Sequence, residues 1–219
     1  MRRALRGTSA ADPALPWRDA EYCVLDFETT GLDLRRDDII SFGLVQVRAG
    51  RMSMATSEYG LVTPRRGSSV PAFTTHALST ADLADAMDIT SCAEILGRNL
   101  TGRVLVAHAS WIEKALIDRA LGSRGEHFGG PVVDTAALAR ASGLAPDRAA
   151  AEPSLEVLAG KLGLPVHTPH HALGDALTTG QVFLALASRL ESAGKVRCLG
   201  DLVKLTRTYK LDSQRPSPF

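Results

Sequence analysis

One short run limits most strongly what this chain can become. Tyr22-Cys23-Val24-Leu25-Asp26-Phe27 is apolar on both of its alternating faces, and Thr29-Thr30-Gly31 stops it at once. A strand apolar on both faces is stable only inside a sheet covered above and below, so the run predicts a central strand with a layer on each side. Residues 39–47 and 52–62, separated by Ala49-Gly50-Arg51, read as a hairpin continuing that sheet, and Pro64 ends it.

The remainder of the chain supplies the covering layers. Val104-Leu105-Val106-Ala107 and Val132-Val133 are further buried strands, and 63–79 and 143–153 read as loops. Helices are expected over 81–100, with a break near Thr90-Ser91, and over 111–121, with Ile112, Ala115, Leu116 and Ala120 on the apolar side. Three more are expected over 135–142, 154–162 and 172–190. A hairpin followed by alternating strands and helices makes this an α/β chain, a mixed sheet flanked by helices.

The chain has 219 residues, 45% apolar and 22% charged, within the range of one globular body. Residues 1–17 show no period and read as a flexible N-terminal arm, 18–192 as the body, and 193–219 as a basic C-terminal helix and tail. In that last segment Val196, Leu199, Leu202, Val203 and Tyr209 stand near helical spacing, suited to docking on the body or to meeting a partner. Net charge is +1, but 1–18 and 195–219 are basic while the middle is acidic. Such a distribution fits a cation-filled site flanked by phosphate-attracting ends, or simply solvated termini. No run approaches the roughly 20 apolar residues of a membrane span, and the opening Met1-Arg2-Arg3-Ala4-Leu5-Arg6 lacks the apolar core of a secretory signal, so a cytoplasmic protein is expected. Cys23, Cys92 and Cys198 are far apart and form no CxxC, which suggests neither a disulfide framework nor a cysteine zinc site and leaves them as small buried residues.

Three segments carry chemistry. In Asp26-Phe27-Glu28 the two carboxylates share one face of the strand's end while Phe27 faces the opposite layer. Side by side in a partly buried site they repel, unless a cation lies between them or one is protonated. Hard oxygen ligands of this kind suit Mg²⁺ or Mn²⁺, and the alternative is an exposed strand end with two solvated acids. In His170-His171-Ala172-Leu173-Gly174-Asp175 a histidine and a carboxylate project from one helix start, which suits a general base activating water. A plain helix cap, or a transition-metal site from His167, His170 and His171, are the other readings. The third segment is Val106-Ala107-His108-Ala109-Ser110-Trp111-Ile112-Glu113, a buried strand running into a helix. Here Ser110 and Glu113 match a capping box, Trp111 is core or a stacking surface, and His108 holds the turn.

Taken together and in this order, the three segments resemble the motifs of the DEDDh family of 3′-5′ exonucleases, which includes the proofreading epsilon subunit of bacterial DNA polymerase III, oligoribonuclease and RNase T. DFETTG at 26–31 resembles the first motif, VAHASWIE at 106–113 the second (usually HNxxFD), and HHALGD at 170–175 the third (HxAxxD). The likeness spans about residues 20–190. It implies a ribonuclease H-like fold and hydrolysis of terminal phosphodiester bonds of DNA or RNA, releasing nucleoside monophosphates with two divalent metal ions, Mg²⁺ or Mn²⁺. Asp26, Glu28, Glu113 and Asp175 would hold the metals and His170 would deprotonate the attacking water. Thr29, Thr30 and Gly31 would lie at the 3′ end, with His108 and Trp111 as further substrate contacts. Val133-Asp134-Thr135 resembles the family's VDT segment, with Asp134 in a supporting role, and TTHALS at 74–79 loosely resembles a loop crossing the site.

Two residues depart from the family pattern. Glu113 stands where Asp is usual and must retract by about one methylene to reach the same point; Ala109 replaces the usual Asn and removes an amide near the substrate. Both bear on efficiency rather than on reaction type. The partners implied are single-stranded nucleic acid 3′ ends and a polymerase or other protein through 195–219, with no membrane. The competing function is a catalytically weak nucleic-acid or polymerase binding module on the same fold.

Overall fold

Alternation along the first long strand sets the architecture. The computed structural model describes residues 3–5, 12–31, 33–65, 83, 85–146 and 151–213. Arg3–Ala4 (β1) pairs with Glu126–His127 (β6) in a small parallel sheet. Tyr22–Thr29 (β2), Ile39–Arg48 (β3), Arg51–Leu61 (β4), Val104–Ala107 (β5) and Val132–Asp134 (β7) form the main sheet in the order β4-β3-β2-β5-β7. β3 and β4 run antiparallel, while β5 and β7 run parallel with β2. The helices are α1 (Ile89–Leu100), α2 (Trp111–Gly122), α3 (Thr135–Ala141), α4 (Leu155–Lys161), α5 (Ala172–Ser192) and α6 (Leu199–Ser213).

Tyr22 and Val24 of β2 join one core with Phe183, Leu186 and Leu190 of α5, whereas Cys23, Leu25 and Phe27 join a second core with Leu96 and Leu100 of α1 and Leu116 and Ile117 of α2. The central strand is thus sandwiched as its sequence requires, and the mixed α/β architecture is the expected one. Asp26 and Glu28 continue the row of Tyr22 and Val24, so both carboxylates face the α5 side while Phe27 is buried opposite.

Some boundaries differ from the sequence expectation. α1 begins at Ile89, because the Asp88 side chain accepts from the Ser91 N–H at 2.8 Å and caps the helix where a break was expected. Among the described residues of 81–88, Met87 instead bridges Val62. In α2, Leu116, Ile117, Ala120 and Leu121 are buried and Ala115 is exposed, so the apolar face is turned slightly from the expected one.

The described parts of 1–17 do not form a loose arm. Arg3 and Ala4 are paired, Pro16 bridges Cys198, and Trp17 is fully buried edge-on to Phe183. At the other end Val196, Leu199 and Leu202 enter the same core as Val24 and Phe183, so packing runs continuously across residue 192. The composition of both segments hides these long-range contacts. Cys23 and Cys92 are buried, whereas Cys198 is half-buried. The segment at 74–79 and the tail 214–219 lie outside the described residues. No helix among the described residues is long and apolar enough to cross a membrane.

The β3–β4 connection is a two-residue turn in which Ala49 (φ +48°) and Gly50 (φ +65°) are both left-handed, between the pair Arg48 and Arg51. Alanine in that conformation carries a Cβ clash that asparagine tolerates better. Ala49→Asn, at this exposed position, is expected to raise stability by about 0.5–1 kcal/mol, read as a higher denaturation midpoint with an unchanged dependence on denaturant.

Candidate active site

Three cross-strand neighbours lay out the site. Asp26 of β2 stands opposite Gly43 of β3, and Gly43 opposite Tyr59 of β4, so the row contains a carboxylate, a gap and an aromatic ring. The gap is needed: a Cβ on Gly43 would lie 2.1 Å from the Leu173 nitrogen and 2.3 Å from the Ala172 carbonyl carbon. The first turn of α5 therefore rests on bare β3 backbone. His171 caps α5 by accepting from the Gly174 N–H, and its ring stacks on Tyr59 with centroids 4.5 Å apart. This seating brings Asp175 to β2, where ligand oxygens of Asp26, Glu28 and Asp175 lie within 4.8 Å of one another.

The 167–170 segment folds over the same helix start. A Cβ on Gly174 would meet the Thr168 and His167 carbonyl oxygens at 2.5 and 2.7 Å, so only glycine admits the loop there. His170 is left-handed (φ +59°) and its backbone N–H donates to Asp175 Oδ2 at 3.0 Å, which leaves its imidazole exposed at the rim. His167 faces Gln181 and His171 faces Tyr59, so the three histidines are not gathered as a transition-metal site.

Glu113 comes from α2. Ser110 does not cap that helix with its side chain; its N–H and Oγ both donate to Asp134 Oδ2, at 2.8 and 2.9 Å. The capping-box reading therefore fails. Glu113 is 6% exposed and its Oε2 is buried without a hydrogen-bond partner. Asp134 has the supporting place expected of it, since its Oδ1 also accepts from Ala136 N at 2.8 Å at the start of α3.

The expected substrate contacts are placed less uniformly. Thr29 Oγ1 donates to the Gly31 carbonyl at 2.6 Å, Thr30 Oγ1 to Asp37 at 3.0 Å, and the Thr30 N–H to the Asp38 carbonyl, so these threonines stitch the loop after β2. Both ring nitrogens of His108 are engaged, Nδ1 with Thr135 Oγ1 at 2.8 Å and Nε2 with the Pro153 carbonyl at 2.6 Å, which makes His108 a brace. Trp111, at the first position of α2, is 36% exposed.

The exonuclease family, of the RNase T type, matches residues 23–183, which span β2 through the middle of α5 and every acid just described. The chain belongs to the exonuclease family. A DNA polymerase III of PolC type from Thermotoga maritima is 32% identical to this chain over 209 residues, covering 90% of this chain and 14% of that protein. A DNA polymerase III subunit epsilon-like protein from Rhodobacter capsulatus is 31% identical over 194 residues, covering 86% of this chain and 27% of that one. The chain thus spans only a minor share of the length of these relatives. Its fold is similar to that of exonuclease X in complex with 5′ overhanging duplex DNA (TM-score 0.64, 23% identity, 84% of this chain and 99% of that one). It is likewise similar to E. coli exonuclease I in complex with a dT13 oligonucleotide (TM-score 0.68, 13% identity, 80% and 42%).

The electrostatics of the acidic cluster fit a divalent cation. Burial, and then the charges of Glu113, Asp175 and Glu28, push the Asp26 carboxyl well above the ordinary carboxylate range. Burial and Asp175 raise Glu28 to about 7, and burial raises Asp175 to about 6 against the lowering effect of the His170 N–H. Burial likewise holds Glu113 well above its usual value. Glu113 Oε2 and Asp175 Oδ1 are both buried without hydrogen-bond partners. Hard anionic oxygens left unpaired beside mutually repelling carboxylates are a donor set that a cation would satisfy.

Carboxyls raised in the folded state bind more protons folded than unfolded, so stability is fully present below their unfolded values and falls as pH rises through about 6 to 7. Asp201, held low by the Arg197 and Cys198 N–H groups, is already ionised in both states over that range. In EDTA the protein is expected to melt at a lower temperature near pH 8 than near pH 5.5, with Mn²⁺ restoring more of the loss at the higher pH. A metal-free melting temperature that rises across the window would contradict the clustering.

Proposed function

We propose that this exonuclease removes nucleoside monophosphates from the 3′ ends of single-stranded or frayed DNA or RNA, using two divalent ions, Mg²⁺ or Mn²⁺, held by Asp26, Glu28, Glu113 and Asp175. The observation that carries the reading is the convergence of the Asp26, Glu28 and Asp175 carboxylates, with Glu113 bearing on Asp26. Ions bound there would supply Lewis-acid stabilisation of the charge that develops on the attacking and departing oxygens.

The protein's own groups divide the remaining work. His170, exposed at the rim and fixed to Asp175 through its backbone, takes the proton of the attacking water. Thr29, Thr30 and Gly31 form the lip that receives the terminal nucleotide. Trp111 offers a ring on which a base can stack. His108 contributes by bracing the segment at Pro153 rather than by touching the substrate.

Polymerase-named relatives support a proofreading or repair role in the cytoplasm beside a DNA polymerase. A partner contact through 195–219 would use the exposed face of α6, where Lys204 and Arg207 lie, because Leu199 and Leu202 are buried in the core.

The test is hydrolysis of 5′-labelled, 3′-tailed DNA and RNA oligonucleotides with Mg²⁺, Mn²⁺ or EDTA. A ladder shortening from the 3′ end is expected. It should vanish in EDTA and fall by roughly 10³-fold or more in Asp26→Ala, equivalent to about 4 kcal/mol of transition-state stabilisation. Glu113→Asp, which shortens the side chain to the family residue, is expected to keep or raise the rate. No ladder with any metal would favour the binding-module reading.

A further inference from the structure

The family match ends at residue 183, yet a hydrogen bond from beyond it reaches the support of the metal-site acids. Among the described residues β7 is the outer strand of the main sheet, paired only with β5. The backbone N–H of its last residue, Asp134, points off that edge and donates to Oγ1 of Thr206 on α6 at 3.0 Å. Thr206 is 4% exposed and Asp134 3% exposed, so water does not offer this N–H an alternative acceptor. The Asp134 carboxylate in turn holds both the N–H and the hydroxyl of Ser110, the residue before α2. Glu113 sits in the first turn of α2, where the Lys114 N–H closes on the Ser110 carbonyl at 2.9 Å.

We propose that Thr206 is a positioning residue for the metal site: by fixing the backbone of Asp134 it fixes Ser110 and the start of α2, and through them where Glu113 stands. The inference rests on reading Glu113 as a metal-site carboxylate. Two consecutive buried links, Thr206 to Asp134 and Asp134 to Ser110, made by three hydrogen bonds of 3.0 Å or less, leave little slack between α6 and the start of the helix that carries Glu113. The glutamate makes the site sensitive to this support. Its additional rotatable bond relative to aspartate gives the carboxylate more ways to miss its position, and outer partners of a ligand are what restrict them.

The test titrates metal-free protein with Mn²⁺, following the melting temperature and the heat of binding. Thr206→Val keeps the shape and removes the acceptor; it is expected to raise the Mn²⁺ midpoint by about 10-fold, the scale of other lost outer partners of metal ligands. Thr206→Ser restores the hydroxyl and should return the midpoint to within about twofold of wild type. In a Glu113→Gln background Thr206→Val should add no further rise. Ser110→Ala, which deletes only one of the two bonds to Asp134, should move the midpoint in the same direction by less, and it tests the relay should Thr206→Val not fold.

A lowered melting temperature with an unchanged Mn²⁺ midpoint in Thr206→Val or Ser110→Ala would make Thr206 merely structural and overturn the proposal. An equal rise with and without Glu113→Gln would overturn it too. A wild-type protein that shows no response to Mn²⁺ would instead overturn the reading of the metal site itself, and this inference with it.

Discussion

The first turn of α5 lies on the backbone of β3 at Gly43 more closely than any side chain would allow. Much of the site depends on that contact. It lowers Asp175 to the level of Asp26 and Glu28, lets His171 lie flat on Tyr59, and points the loop carrying His170 across the end of β2. A glycine inside a strand costs some stability through chain entropy and lost packing. Here the cost is balanced by a separation between helix and sheet that a larger residue would prevent. The geometry of the acidic cluster is thus set first by an absence of atoms and only then by the acids themselves.

The same closeness creates an electrostatic conflict. Carboxylates from β2, α2 and α5 are gathered where burial alone already disfavours their charge, and their neighbours raise Asp26 and Glu28 further. Two well-filled cores on either side of β2 hold the framework around this unfavourable cluster. Destabilised groups at one spot within a well-packed scaffold are a usual signature of a functional site, because the local strain is relieved only when the site is used.

How much of this was legible in the sequence follows the range of the interactions. β2, the hairpin and the long α5 could be read because two-sided apolarity, turn residues and helical period are local patterns. Asp26, Glu28 and Asp175 could be found because each lies in a compact motif. Glu113 was ambiguous, since Ser110 at the head of a capping pattern looks the same whether its hydroxyl turns to its own helix or to Asp134. Gly43, the stacking of Tyr59 on His171, and Thr206 carry no local mark beyond an isolated glycine in a strand. The loose reading of residues 1–17 missed the burial of Trp17 for the same reason: its neighbour Phe183 is far along the chain. The start of α1 was a local error, as the competence of Asp88 to cap outweighed the apolar period read through it.

One contact between distant segments has a topological consequence. The Leu199 N–H donates to the Leu15 carbonyl at 2.9 Å and the Gly200 N–H to that of Pro13 at 2.8 Å, which closes a long loop between the segment before β2 and the start of α6. The closure also orders its assembly in time. A chain emerging from the ribosome exposes Trp17 and the edge of β7 before α6 arrives to pack with them, so the described core is completed only when α6 has been made.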